Sequence, residues 1–441
     1  MTKPALSNQR CGRRDFLQVG TAALFGLSFS DLLAAKAIGD DAPGAAAPAR
    51  NCIFVWLAGG PATIDMWDMK PAAPQGVRGE FRPIATTVPG LAVCEYLPEM
   101  AKVMDRCALV RSVAHNLAEH GPGTELVVTG HLPTAALAYP SLGSMASKLL
   151  PERPGVPKYM TLGETAPGGS GFLGASASPF HIRPADLTGR ERTTVPVELP
   201  EGFSLDDLAR RESLLARLDS QFAALDQAPL ARELSSFQRQ ALDILRSNKT
   251  RQALNLQAEP EATRTRYGRG WAGQALLAAR RLVEAGVGFV TASIGGWDTH
   301  QDNFGQLRNR LLPQLDHALS ALIADLDERG LLGETLVYCA GEFGRTPFVN
   351  GQAGRDHWAR AMSVLLAGGN LPRGHAHGAT DERGMEPTDE PCSPADINAT
   401  LLSLLGVSTD TMFMTSAGRP ISAFGDGVAI AQLVRAVAAT R

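Results

Sequence analysis

GVGFVTASIGGWDTHQDNF, residues 286–304, carries the reading from which the rest of the chain follows. Gly288 to Ile294 is a short apolar run of the kind that forms a buried parallel strand, and the glycine pair 295–296 ends it. Asp298, His300 and Asp302 come next. Alternate residues of an extended segment point to the same side, so this Asp-x-His-x-Asp spacing aims three ligand-type side chains one way. Acids and imidazoles at the end of a buried strand are costly to desolvate unless a cation or a chemical task compensates them. The set suits Zn²⁺, Mn²⁺ or Fe. In the alternative reading Asp298 closes a turn after the glycines and His300 is solvated.

Working outward, further strands are expected at Asn51 to Ala58, Ala108 to Ser112, Thr335 to Ala340 and Met362 to Ala367, several of them ending in glycine. Helical periodicity lies between them, most clearly over Leu307 to Arg329, where Leu311, Leu315, Ala318, Leu319, Leu322 and Leu326 form one stripe. A last helix, DINATLLSLLG, opens at Ser393, Pro394 and Asp396 and stops at Gly406. Strand alternating with helix implies an α/β fold around a mostly parallel sheet, whose ligands bind beyond the carboxyl ends of the strands. The pattern changes between Pro151 and Arg264, so 50–150 and 265–441 are expected to form the core. Residues 151–264 are then an inserted, cap-like region containing a polar helical stretch from Leu205 to Leu256.

The first residues are a different object. Arg13 and Arg14 in GRRDFLQVG precede the apolar run TAALFGLSF and the small-residue site Ala35-Lys36-Ala37, the order of a twin-arginine export signal over residues 1–37. The run is too short for a stable membrane span, so a protein exported to the periplasm or beyond is expected. With 44% hydrophobic and 20% charged residues the chain can bury a large core. A net charge of −3, with no long basic run, argues against nucleic-acid binding. Of six cysteines, Cys52 and Cys339 fall in strand-like runs, which leaves Cys94, Cys107 and Cys392 for at most one disulfide.

Other candidates flank the first. Glu342 follows a strand through Gly341 and is either a metal ligand or half of an ion pair with Arg345 or Arg355. His357, between Asp356 and Trp358, is a ligand or a satisfied core histidine. His120, in EHGPGTELVVTGH, stands where a helix begins and an anion would be stabilised; otherwise it caps that helix. Asp65 and Asp68 lie in the loop after the first strand, with Lys70 close enough to neutralise one of them.

The motifs GGPATIDMWDMKP, ARRLVEAGVGFVT, GGWDTH, GLLGETLVYCAGEFGRTP, GRDHW and ADINATLLSLLG make the chain similar to the DUF1501 proteins, sulfatase-like relatives of the alkaline phosphatase superfamily. The resemblance implies a three-layer α/β sandwich with a helical insertion. It implies a metal site from Asp298, Asp302 or His300, and His357. A second site would fall on Gly59, Glu342 and Phe343, completed only if Asp65 or Asp68 folds back, so one ion is expected rather than two. Zn or Mn is the expected metal, with Ca or Fe as alternatives. Counting back nine residues from Thr129 and Gly130 places His120 at the position of the nucleophile. His120 and Arg345 are then the expected catalytic residues, and Arg345 or Arg355 the anion clamp. The implied activity is hydrolysis of small-molecule or glycan phosphate or sulfate esters; the alternative is a non-catalytic binder of such glycans or of an envelope partner.

Overall fold

Residues whose side chains are almost all apolar or β-branched build the centre of the molecule. A computed structural model describes residues 48–164, 167–188, several positions between 204 and 213, and 247–434. The expected signal peptide and most of the helical part of the insertion lie outside the described residues. Eight strands form one sheet: β1 (Asn51–Leu57), β2 (Cys107–Val113), β3 (Tyr159–Leu162), β4 (Phe180–Ile182), β5 (Phe289–Ile294), β6 (Thr335–Ala340), β7 (Met362–Gly368) and β8 (His375–His377). Their order across the sheet is β8-β2-β7-β6-β1-β5-β3-β4. Every residue of β1, β5 and β6 is buried, as strands covered on both faces must be.

All neighbouring strands run parallel except at β7, which is antiparallel to both β6 and β2. The reason lies in its connection. Parallel neighbours need a long crossover, usually a helix, whereas the chain from β6 to β7 makes only a two-residue ladder, Gly344–Arg345 against His357–Trp358. β7 therefore returns down the sheet and begins at the edge where its parallel neighbours end.

Helices cover both faces. On one, Ile53, Val55 and Leu57 of β1 and Val290, Ala292 and Ile294 of β5 join a continuous core with α6 (Trp271–Ala285) and α8 (Leu312–Glu328). The six apolar residues read as a stripe are all buried there. The helix is not continuous from Leu307, however: a short α7 (Asn303–Gln306) passes through a π-turn (Leu307–Leu311) before α8 starts. Pro313 supplies the cause, because it has no N–H to offer the preceding turn. On the other face α3 (Leu142–Leu149) sets Gly143 against the Tyr159 ring, and Phe54 stacks on Tyr338 at 4.5 Å. There α2 (His120–Thr129) packs against α9 (Pro394–Leu404), whose Ser393 and Asp396 form the expected capping box.

The stretch 151–264 is not all cap. Its early part supplies β3 and β4 to the edge of the sheet, and its last part forms α4 (Asn248–Leu254) and α5 (Glu261–Tyr267), which lie against α6 and α8. Among the described residues five cysteines are buried free thiols, Cys94, Cys107 and Cys392 included. Among the described residues no helix is long and apolar enough to cross a membrane. Asp316 of α8 accepts the N–H groups of Glu99 (3.0 Å) and Met100 (2.7 Å), capping α1 (Pro98–Val103) from outside.

Candidate metal centre

Beyond the carboxyl ends of β2, β1, β5 and β6 the chain brings four loops together. Gly59 makes the closest approach. It has φ +116°, and a Cβ there would stand 2.5 Å from the backbone nitrogen of Asp298. Its carbonyl and that of Gly60 accept from the Arg345 guanidinium, while its N–H donates to the Glu342 carboxylate at 2.9 and 3.2 Å. Gly354 allows the other approach, since any Cβ would collide with the carbonyl of His300.

Three imidazoles converge on Asp298. His120 Nε2 lies 3.3 Å from its Oδ2; His300 Nε2 and His357 Nε2 lie 3.0 and 3.3 Å from its Oδ1, and 2.9 Å from each other. Each ring is held by its other nitrogen. His357 Nδ1 donates to the carbonyl of Ala118 (2.7 Å), His300 Nδ1 to Asp356 (2.8 Å) and His120 Nδ1 to Glu342 (2.6 Å). An imidazole that donates from Nδ1 is left with a bare lone pair on Nε2 when neutral. The site therefore points three nitrogen lone pairs and a carboxylate at one another, and ligand atoms of His120, Asp298 and His357 all fall within 4.8 Å. Such a set repels itself unless a proton or a metal cation lies among the atoms. Histidines that bind metals are oriented in this way, through the second nitrogen, by a carboxylate or a carbonyl.

Asp298 is kept ionised. Burial alone would raise its pKa, but the hydrogen bond and charge of Arg345, with help from His357 and His300, outweigh it and bring the carboxyl down to about 2. The Phe343 ring closes the floor, its centre 4.4 Å from that of His357 and 5.2 Å from that of His120.

The structure moves several residues out of the site. Asp302 does not follow Asp298 and His300 to the same side: the extended run ends, Asp302 takes φ 45° as the cap residue of α7, and its carboxylate turns back over Gly305. Asp65 is buried elsewhere, paired with Arg355 through two hydrogen bonds (2.7 and 2.8 Å) and with Asn303 (2.8 Å). Arg355 is consequently no anion clamp. Its remaining N–H groups go to the carbonyls of Val77, Thr346 and Pro347, and nothing of it is exposed. Arg345 is buried too and braces the site from behind, holding Asp298 (2.5 Å) and lying 5.9 Å from the centre of the Phe343 ring. Glu342 pairs with neither arginine; it carries His120. Asp68 binds Lys70 (3.0 Å) and the hydroxyl of Thr380.

One residue escaped the sequence reading. His115 is buried, accepts Leu117 N–H at Nδ1 (3.2 Å) and donates from Nε2 to the Glu342 carbonyl (2.9 Å), so it braces the loop that carries His120. Burial lowers its pKa and favours the neutral ring. Its position two residues past β2 was the only signal.

The model of a family described as "Protein of unknown function (DUF1501)" matches residues 49–434. The chain belongs to DUF1501. No curated protein matches this DUF1501 chain in sequence. Solved structures similar to it include the PsFucS1 sulfatase from Pseudoalteromonas sp. (13% identity, 91% of this chain and 73% of that one, TM-score 0.39). The alkaline phosphatase of the Antarctic bacterium TAB5 is 12% identical over 82% of this chain and 99% of that one, with a TM-score of 0.37. The C-terminal periplasmic domain of EcEptC from Escherichia coli, solved as a complex with Zn, is 10% identical over 83% and 87%, with a TM-score of 0.38.

Proposed function

We propose that this DUF1501 chain is an exported, metal-dependent hydrolase of phosphate or sulfate esters, acting on small molecules or glycans. One observation carries the reading: imidazoles locked through Nδ1 present bare Nε2 atoms to an ionised carboxylate, an arrangement that a divalent cation would satisfy. The donor set fits Zn²⁺ or Mn²⁺, with Fe next; Ca²⁺ prefers oxygen donors alone. Asp298, His300 and His357 would hold a single ion.

A bound cation would supply Lewis acidity at the ester oxygen and charge neutralisation for the anion. The residues of the chain do the rest. Arg345 keeps Asp298 ionised and fixed in direction. Asp356 and the Ala118 carbonyl set the two ligand rings, so little reorganisation is required when an ion enters. Phe343 removes water from one side of the cluster. His120 stands at the open edge, with its ring orientation set by Glu342.

Metal analysis of the mature protein, combined with hydrolysis of p-nitrophenyl phosphate and p-nitrophenyl sulfate before and after chelation, tests the proposal. The expected result is about one ion per chain and hydrolysis that chelator abolishes and Asp298→Ala removes. Absence of stoichiometric metal, together with chelator-insensitive binding of sulfated polysaccharide and no turnover, would replace it with the non-catalytic reading.

A further inference from the structure

Residues 374–378 read Gly-His-Ala-His-Gly. The middle three form β8, which lies at the outer end of the sheet and pairs with Ala108, Leu109 and Val110 of β2. Both flanking glycines take left-handed backbone, at φ +63° and +65°, so the strand is bounded at each end by a residue that turns without strain. An edge strand of three residues is held by few hydrogen bonds and opens before the rest of its sheet. Side chains alternate along a strand, so His375 and His377 face the same side, with ring centres 6.4 Å apart. His377 is 3% exposed, and His377 Nδ1 and His375 Nε2 are both buried without a hydrogen bond. Glu390 brings a carboxylate within 3.0 Å of His377 Nδ1, but out of hydrogen-bonding alignment. That carboxylate is 39% exposed and is also bound by Gln432. Asp389 is the other acid that acts on the ring, and it too is open to water. Arg111 of β2 is spent on the Gly378 carbonyl (3.3 Å), and Cys392, beside Glu390, is kept a neutral thiol by burial, its pKa pushed up to about 12.

We infer that β8 is an acid-released edge: on acidification His377 takes up a proton that the closed strand does not accommodate, and residues 375–377 swing away from β2 about Gly374 and Gly378. The device is independent of the hydrolase reading, because none of these groups belongs to the metal centre. A proton on His377 is a charge with little water around it. A second proton, on His375, sets two like charges side by side on one face of a three-residue strand. Glu390 and Asp389 oppose both effects weakly, since water screens exposed acids. Burial accordingly holds the His377 ring below its ordinary 6.5, with Glu390 pulling the other way and His375 adding to the fall. The released strand binds its proton at the ordinary value and the closed strand only at lower pH. Closure is therefore complete above 6.5 and is lost as pH falls below it. Release uncovers the outer edge of β2 over Ala108–Val110.

Backbone hydrogen exchange of the purified protein, read by peptide mass and corrected for the intrinsic effect of pH on exchange, tests the inference. Between about pH 7.5 and about pH 5.5, peptides covering 371–380 and 107–113 are expected to lose about tenfold in protection, the effect of one proton taken up only by the open state. Peptides of β1 and β5 should not change. His377→Phe has no proton to take up and should keep its protection at both pH values; His377→Gln serves if that variant fails to fold. Equal wild-type protection at both pH values overturns the inference, and so does an unaltered response in either variant. A loss spread over the whole sheet overturns it as well, because acid then opens the molecule as a unit. After chelation the same local response is expected, and one that disappears would belong to the metal centre and sink the inference. Failure of all ester hydrolysis, by contrast, removes the hydrolase reading and leaves this one standing.

Discussion

Arg345 shows how much a buried residue that is not itself a candidate ligand controls at the site. Its guanidinium is spent on the carbonyls of Gly59, Gly60, Trp297 and Arg355 and on Asp298. Removing it leaves a carboxylate with neither its partner nor its direction, so Arg345→Met is expected to weaken metal binding by roughly 10–100-fold, the usual effect of losing such support. Competition with a metallochromic chelator measures this, and an unchanged affinity would refute it. Gly59→Ala is expected to fail for a different reason. At φ +116° a side chain is strained, and its Cβ would meet Asp298 N at 2.5 Å. A loss of about 1–3 kcal/mol is expected from the strained conformation, with more from the collision, read as a lower urea midpoint. At this scale the sequence showed the residue types but not their partners. Asp65 and Arg355 are 290 positions apart, and nothing local announces that they cancel one another. Asp302 failed for a local reason: alternation holds only while the chain stays extended.

At the scale of elements, long apolar runs were legible and short mixed ones were not. β1, β5, β6 and β7 fall within one or two residues of their expected limits because each strand is nearly all apolar. β3, β4 and β8 have three or four residues each and include Thr161, His181, His375 and His377, so periodicity could not separate them from loop. The reversed direction of β7 depended on a connection without a helix, which strand patterns do not show. Helix packing hides a charged network that the stripes gave no hint of. Arg280 of α6 is fully buried among Glu259 (2.8 Å), Asp325 of α8 (3.0 Å) and Glu284 (2.6 Å). Arg280→Met takes the fully buried partner from Glu259 and Asp325, which keep only the partly exposed Arg281 and Arg329, and is expected to cost about 3 kcal/mol in urea unfolding. Glu259 supplies the dependence on pH. Burial would raise its pKa, but Arg280 and Arg281 pull it below the ordinary 4.5. A carboxyl lowered in the folded state contributes stability that is complete above 4.5 and is lost as pH falls. Wild type should therefore lose more stability than Glu259→Gln on acidification through that range, and equal losses would contradict the assignment.

For the whole molecule, the centre ties the sheet together, because its groups arrive from the ends of β2, β5 and β6 and from the start of β7. A ligand that binds only the folded chain stabilises it by about 2.7 kcal/mol at a hundred times its Kd. Chelation should lower the melting temperature accordingly, and calorimetry with and without added Zn²⁺ or Mn²⁺ would show it. A melting point indifferent to metal would remove the ion from the centre.

The sequence distances have a further consequence. His120 and Asp298 are 178 positions apart and Asp298 and His357 are 59 apart, and β1 and β6 must lie between β5 and the neighbouring β2 and β7 before Asp298 faces either histidine. An unfolded chain offers only the neighbouring Asp298 and His300, two donors without the third that would hold an ion. On the metal reading proposed above, uptake would thus follow folding and report that it succeeded: a loaded chain would be an inspected chain.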